Sequence, residues 1–393
     1  MTYPYYSPNL GISVICRAVF LPKNKAILSI KSYFQNLSGK KYILITNSCR
    51  TALYLTYSAL EKKGEVITSP LTCKVAIDPI IESGSKPVYA DISIKDLNID
   101  PTDIDSRINT NTIAVQAIHL GGNACDMEAI IKIAKENSLF LVEDCAQALG
   151  ATSHGQFCGS FGDVACFSLI KNGYSIGGGI LATNNEELFE KARAIQSSFK
   201  ATSKSLLLYR IARNITDTYR NTLLGKGLFK ILIKVRGNAR SYQSVFDQLK
   251  SISAFETRIA AVQVSRYITL HKMRRELGAL FYNLLTKEGL MINNGYNPKE
   301  SSFTKLFVYN PDFSTAKMLK RLYQNKVEAM HLEHKNGGPY QLKLITNGSL
   351  LIDLPVYNRV HDSIISLPLV ERFKENDIRS IVQILKDVKN ERE

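Results

Sequence analysis

YILITNSCRTALYLTYSALEKKGEVITSPLTCKVAIDPIIESGSKPVYADI, residues 42–92, alternates two kinds of apolar pattern. Short runs dense in Ile, Val and Tyr (41–46, 65–69 and 86–92) have the length and β-branched content of buried strands. The segments between them space apolar residues at helical intervals, and each ends on a glycine, Gly64 or Gly84, where a helix stops readily. Strand, helix, strand, helix, strand is the pattern of crossovers that build a largely parallel sheet covered on both faces. The rhythm continues through TIAVQAIHL (112–120), MEAIIKIAKENS (127–138) and LFLVEDCA (139–146). It predicts an α/β fold, and in such sheets ligands gather beyond the carboxyl ends of the strands.

Around this unit, the 393 residues are ordinary globular material, 45% apolar, long enough for one large unit and a smaller one. No apolar run has the length of a membrane span, and the first twenty residues lack the basic lead and unbroken apolar core of a secretion signal. Seven cysteines are scattered without a CxxC pair, which argues against a disulfide framework and for a reducing, cytoplasmic setting. The six histidines show no metal-ligand spacing, so no metal is expected, and His119 at a strand end reads as a structural group.

The formal net charge of +15 is concentrated: between Lys200 and Lys250 eleven Lys or Arg face only Asp217 and Asp247. That basic segment has helical spacing. It reads either as an insertion whose cations are solvated, or as a helix lying on the inner face of an anionic membrane. It carries no recognised nucleic-acid module, so nucleic acid is not an expected partner. Beyond it a small α+β unit is expected, with one long helix over 256–285, strands KLFVYN (305–310) and SIISLPL (363–369), and a closing helix burying Ile378, Ile381, Val382 and Leu385. The expected division is a large unit over 1–255, with the insertion at about 200–250, and a small one over 256–393.

Three features stand at the carboxyl ends of the predicted strands. Ser48 opens a helix at SCRTAL (48–53), where free backbone N–H groups suit a phosphate and Arg50 can add a bidentate clamp. A buried strand ends on Glu143 and Asp144, and a carboxylate in that place is either desolvated and paired or functional. FSLIKNGYSIGGGIL (167–181) sets Ser168 and Lys171 before three glycines. A phosphate seat, a buried acid and a lysine are together the parts of a pyridoxal phosphate site.

The ordered set SCRTAL, GEVITSPLTCKVAIDPIIESGSKPVYADI, VEDCAQALGA, GSFGDVACFSL and KNGYSIGGGILATNN resembles the DegT/StrS-type sugar aminotransferases, with a weaker match at ISLPLVERFKENDI. The resemblance implies a fold-type I large domain, a small C-terminal domain and pyridoxal 5'-phosphate as cofactor. It implies Lys171 as the catalytic lysine, Asp144 at the pyridine nitrogen, Gln147 at the ring hydroxyl, and Ser168 with Ser48, Cys49 and Arg50 at the phosphate. Cys73 stands where the family often stacks an aromatic ring on the cofactor. Further departures are the two-residue interval between Ser168 and Lys171, Ile252 near the family's asparagine, and Gly177 in place of a glutamate. The implied activity is transfer of an amino group, commonly from glutamate, to a nucleotide-linked keto-sugar in polysaccharide or other glycan biosynthesis. The implied working form is a homodimer. The departures motivate one alternative, a non-catalytic or regulatory member that still binds the cofactor.

Overall fold

The computed structural model describes residues 3, 10–171, 175–219, 222, 249–292, 295–331 and 353–391. Two helices, α1 (Ile12–Phe20) and α2 (Lys23–Ser38), precede the sheet, and Gly39 ends α2 in the left-handed conformation. The crossover region then runs β1 (Tyr42–Thr46), α3 (Cys49–Ala59), β2 (Glu65–Thr68), α4 (Lys74–Glu82), β3 (Lys86–Tyr89), α5 (Pro101–Arg107), β4 (Thr112–Ile118), α6 (Met127–Glu136) and β5 (Phe140–Cys145). A short hairpin, β6 (Thr152–Ser153) and β7 (Gln156–Phe157), leads to β8 (Val164–Ser168), β9 (Gly179–Thr183) and α7 (Glu186–Ser197).

The seven-stranded sheet has the order β1-β9-β8-β5-β4-β2-β3, and β9 alone pairs antiparallel with both of its neighbours. The largely parallel α/β sheet expected from residues 42–146 is therefore the observed one. Alternate residues serve opposite faces: Ile43, Phe167 and Ile180 pack toward α2, while Leu44, Cys166 and Leu181 pack toward α3 and α7. Burial on both faces explains why these strands read as nearly continuous apolar runs.

After α8 (Lys204–Thr218) come α9 (Ala254–Val264) and α10 (Tyr267–Lys287). The single helix expected over 256–285 is two. At the break, the Arg266 N–H reaches back only three residues to Gln263 O, and the Ser265 hydroxyl donates to Val262 O. The break lets α10 serve two cores: Tyr267 and Leu270 pack under the large sheet, whereas Phe281 and Leu285 pack on the small one.

The remainder is β10 (Leu306–Tyr309), α11 (Thr315–Gln324), β11 (Met330–His331), α12 (Pro355–Val360), β12 (Ile364–Leu367) and α13 (Glu375–Asn390). The small sheet is antiparallel in the order β10-β12-β11, and the expected face of α13, with Ile378, Ile381, Val382 and Leu385, is buried on it. Two contacts lock the sheets together near the strand ends. Buried Asp91 accepts from the N–H groups of Val356 and Tyr357 at the start of α12. Lys305 and Gly121 exchange backbone contact, with the Lys305 N–H donating to Gly121 O.

Candidate active site

β5 and β8 are neighbours and β1 lies one strand beyond, across antiparallel β9; all three end at the same edge of the sheet, and each hands the chain to a group singled out from sequence. After β1, Ser48 caps α3 by accepting from the Thr51 N–H at 3.1 Å. That leaves the N–H groups of Cys49 and Arg50, the first two residues of the helix, without an intrahelical acceptor. Cys73 stands at the N-cap of α4, there without a side-chain cap. Ser48, Cys49, Arg50, Cys73, Asp144, Gln147, Ser168 and Lys171 all line one cavity of about 180 Å³, joined by Thr72 and Leu53, which were not singled out from sequence. All eight sequence candidates thus meet, although they lie up to 123 positions apart.

The two consecutive acids of β5 have opposite fates, as their opposite faces require. Glu143 is fully buried and fully used: it accepts from the N–H groups of Gly159, Phe161 and Gly162 and from His119 Nε2 at 3.2 Å. His119 Nδ1 accepts from the Cys125 N–H, which fixes the neutral tautomer and gives this histidine a structural role. Ligand atoms of His119, Glu143 and Cys145 lie within 4.8 Å of one another, but the bonds just named occupy the histidine and the carboxylate.

Asp144 turns to the cavity instead. Its Oδ1 accepts from the Ala146 N–H at 2.9 Å and faces the Cys49 thiol at 3.8 Å. Burial raises its pKa, against the pull of the Ala146 N–H and then of the Lys171 charge. A buried carboxylate with one backbone donor is expensive, and a cationic N–H placed against it would offset that cost. Burial also pushes the Cys49 thiol well up, so it stands as a neutral neighbour.

Ser168 Oγ accepts from the backbone N–H groups of Ile170 and Lys171, both at 3.4 Å. The short Ser168–Lys171 interval is therefore a side-chain-closed turn that presents the lysine at the cavity. Gln147 Oε1 accepts from the Gly121 N–H at 3.2 Å.

The three glycines after Lys171 are each pressed by another part of the protein. A Cβ on Gly179 would fall 2.5 Å from Ser48 O and closer still to the next backbone atoms of that turn. Gly178 has a φ of +110° and lies under Ile252. A Cβ on Gly177 would meet the carboxylate of Glu256, which comes from α9 and pairs with Arg210. The glycines let protein segments pack behind the site.

The cavity suits a phosphate group. Arg50 Nη1 is buried without a hydrogen-bond partner among the described residues, beside the two open N–H groups of α3. An anion there would satisfy all three at once.

A family model, the DegT/DnrJ/EryC1/StrS aminotransferase family, matches residues 20–386. The chain belongs to that family. Spore coat polysaccharide biosynthesis protein SpsC of Bacillus subtilis is 37% identical over 205 residues, 49% of this chain and 52% of that protein. GDP-perosamine synthase of Vibrio cholerae is 29% identical over 230 residues, 56% of this chain and 63% of that enzyme. These alignments span between half and two thirds of each relative. Among solved structures, a Streptococcus pneumoniae protein in its PMP form superposes with a TM-score of 0.75 at 19% identity, covering 99% of both chains, a likeness of fold. Family membership and the sheet topology agree with the architecture that the sequence resemblance implied.

Residues 223–248, with most of the basic segment, lie outside the described residues. No described helix is long and apolar enough to cross a membrane. Sequence reading missed a second group beside Lys171: Arg210 and Arg213 of α8, Arg274 of α10 and Lys305 before β10. A cation at the lip of a strand, as in TKLFVY, was the available signal.

Proposed function

We propose that this protein is an aminotransferase that uses pyridoxal 5'-phosphate to move an amino group from glutamate onto a nucleotide-linked keto-sugar for glycan assembly. The observation that carries the reading is the convergence, in one cavity, of Lys171, buried Asp144 and the open start of α3 with the unpartnered Arg50 Nη1. Bound there, the cofactor would supply an aldehyde that captures amines and a charged ring that withdraws electrons from the bond being broken.

The roles of the residues follow from their surroundings. Arg50, with the N–H groups of Cys49 and Arg50 and the hydroxyls of Ser48 and Ser168, would hold the phosphate. Asp144 would keep a proton on the ring nitrogen, relieving its own burial. Gln147 would orient the ring from its edge, and Cys73 would bound the ring where a larger side chain would stack. Lys171 would hold the cofactor covalently, release it to an incoming amine and then carry the proton between substrate and ring. We assign the working form as a cytoplasmic homodimer, in line with the resemblance.

The test is spectroscopic. Purified protein given cofactor should show a visible absorption band that glutamate bleaches, and Lys171→Ala should abolish that band at unchanged melting temperature. A band that survives Lys171→Ala, or wild-type protein that stays colourless, ends this reading. A band that no amino donor bleaches would favour the non-catalytic alternative.

A further inference from the structure

α1 is apolar on two sides. Of its nine residues, ISVICRAVF, only Ser13 and Arg17 are polar. One face is used inside the protein: Val14 and Ala18 are buried in a cluster with Leu10, Ile176 and Ile259. On another face Ile12, Cys16, Val19 and Phe20 recur at i, i+4, i+7 and i+8, the spacing of a second stripe. The structure leaves this stripe in solvent, with Ile12 60%, Val19 51% and Phe20 85% exposed and Cys16 exposed between them. Single apolar residues on a surface need no explanation, but a stripe at helical spacing on a helix that already has a core face marks an interaction surface.

The chain sets Phe20 at a tip and surrounds it with cations. A residue before proline is biased to extended backbone; Leu21, ahead of Pro22, adopts it and ends the helix directly after Phe20. α2 starts at once, so Lys23 lies within about 11 Å of Phe20 along the chain. Arg17, Lys23 and Lys25 are exposed, and no carboxylate pairs with them among the described residues. No Asp or Glu occurs before Glu61. The end of α8 approaches α1, where the Ile12 N–H donates to the Tyr219 hydroxyl at 3.4 Å. It brings the acid Asp217, whose side chain is 13% exposed and lies 3.6 Å from Arg213.

These charges decide what covers the stripe. A two-fold contact between copies through this face would set its cations against the same cations of the partner, with no acid on either helix to answer them. An apolar stripe ended by an aromatic ring and flanked by unanswered cations is instead the composition of a helix that rests in the interface of an anionic bilayer. We propose that α1 and the start of α2 dock reversibly on an anionic phospholipid surface. Ile12, Val19 and Phe20 enter the boundary between headgroups and acyl chains, and Arg17, Lys23 and Lys25 lie at the phosphates. The core-facing side of α1 stays seated on the protein, so docking requires no refolding. The proposal does not rest on the aminotransferase reading: apoprotein and cofactor-loaded protein should dock alike.

The experiment is flotation of the full chain, with and without cofactor, on vesicles of phosphatidylcholine alone or mixed with phosphatidylglycerol. Wild-type protein should float with the mixed vesicles at low salt, far less with phosphatidylcholine alone, and less as salt rises. Phe20→Ser should weaken partitioning about tenfold or more, as loss of an inserted aromatic side chain implies. Arg17→Gln should weaken it about fivefold. Both changes remove solvent-exposed atoms, so melting temperature should match the wild type. Ile268→Ser, at a residue 76% exposed on α10, is the control and should float as the wild type does. Light scattering on the same proteins reads the other occupant: a particle mass that falls in Phe20→Ser assigns the stripe to a second copy and overturns the proposal. So does wild-type protein that stays off the mixed vesicles, or flotation that is unchanged in Phe20→Ser and Arg17→Gln.

Discussion

Gly179→Ala should damage cofactor binding from behind the site, by pressing on the backbone of the turn whose N–H groups would hold the phosphate. Gly179 opens β9 in register with Thr46 of β1 and Ser168 of β8, directly under the turn that starts α3. The added Cβ would stand 2.5 Å from Ser48 O, where an ordinary contact begins at 3.4 Å, and the other nearby atoms also belong to the backbone. No side chain can rotate away, so relief requires the start of α3 to move by about 1 Å or the strand pairing to loosen. Overpacking of this kind costs about 1–3 kcal/mol, and backbone-on-backbone contact puts the expectation near the upper figure. A displacement of about 1 Å in a positioning element costs about 100-fold in rate. The Ser48–Arg50 turn is the proposed phosphate seat, so titration of apoprotein with pyridoxal phosphate, followed by absorbance, should show clearly weakened binding. Gly155→Ala is the control: φ is +78° but nothing lies within 4 Å, so it should cost about 1 kcal/mol of stability and leave cofactor affinity unchanged. Wild-type cofactor affinity in Gly179→Ala would refute the idea that this close packing sets the seat.

Two further expectations concern buried charge. Arg274 and Glu371 pair at 2% and 3% side-chain exposure, so Glu371→Ala should cost about 3–5 kcal/mol in urea unfolding, whereas joint replacement by Met and Leu should recover most of it. A loss under 1 kcal/mol in Glu371→Ala would contradict that pairing. Binding of an anion at the chamber wall formed beside Lys171 by Arg210, Arg213, Arg274 and Lys305 should weaken as pH rises through the free-state value of Lys305, about 8, because the anion favours the ammonium and raises its pKa in the complex. The groups that share this chamber wall are Lys171, Arg210, Arg213 and Arg274, with the Cys73 thiol acting in the opposite direction. Lys305→Met should flatten the profile, and an unchanged slope would remove Lys305 from the anion site.

The large sheet was legible because its strands are buried on both faces, so apolar runs such as 42–46 and 112–118 stand out between helical spacings. The cavity was legible for a related reason: strand ends in a parallel sheet face one edge, so Ser48, Asp144 and Lys171 could be brought together from their places in the pattern alone. Packing against other segments was not legible. Nothing local distinguishes Glu143 from Asp144; their roles separate only when the loop at 159–162 folds back to give Glu143 three N–H donors. The reason for three glycines at 177–179 lies in residues 48–49 and 256, which only the folded chain brings near. The division of the 256–285 helix escaped because Ser265 and Arg266 are compatible with a helix, and the break serves two cores that the local pattern does not reveal.

The basic segment shows how the same pattern can support opposite readings until one face is assigned. A helix bound to a membrane surface turns its apolar stripe outward to lipid and keeps its cations at the headgroups. In α8, Leu207 and Ile211 instead pack on the cluster formed by Leu10, Val14, Ile176 and Ile259, while Arg210 and Arg213 line the chamber beside Lys171. Leu208 is exposed, a single apolar residue rather than a stripe. The described part of the segment has thus spent its apolar face on the protein core and its arginines on an enclosed space. Neutralising Arg213 should consequently alter the binding of small anions, whereas any effect of this segment on vesicle binding would have to arise from residues 223–248, outside the described helix.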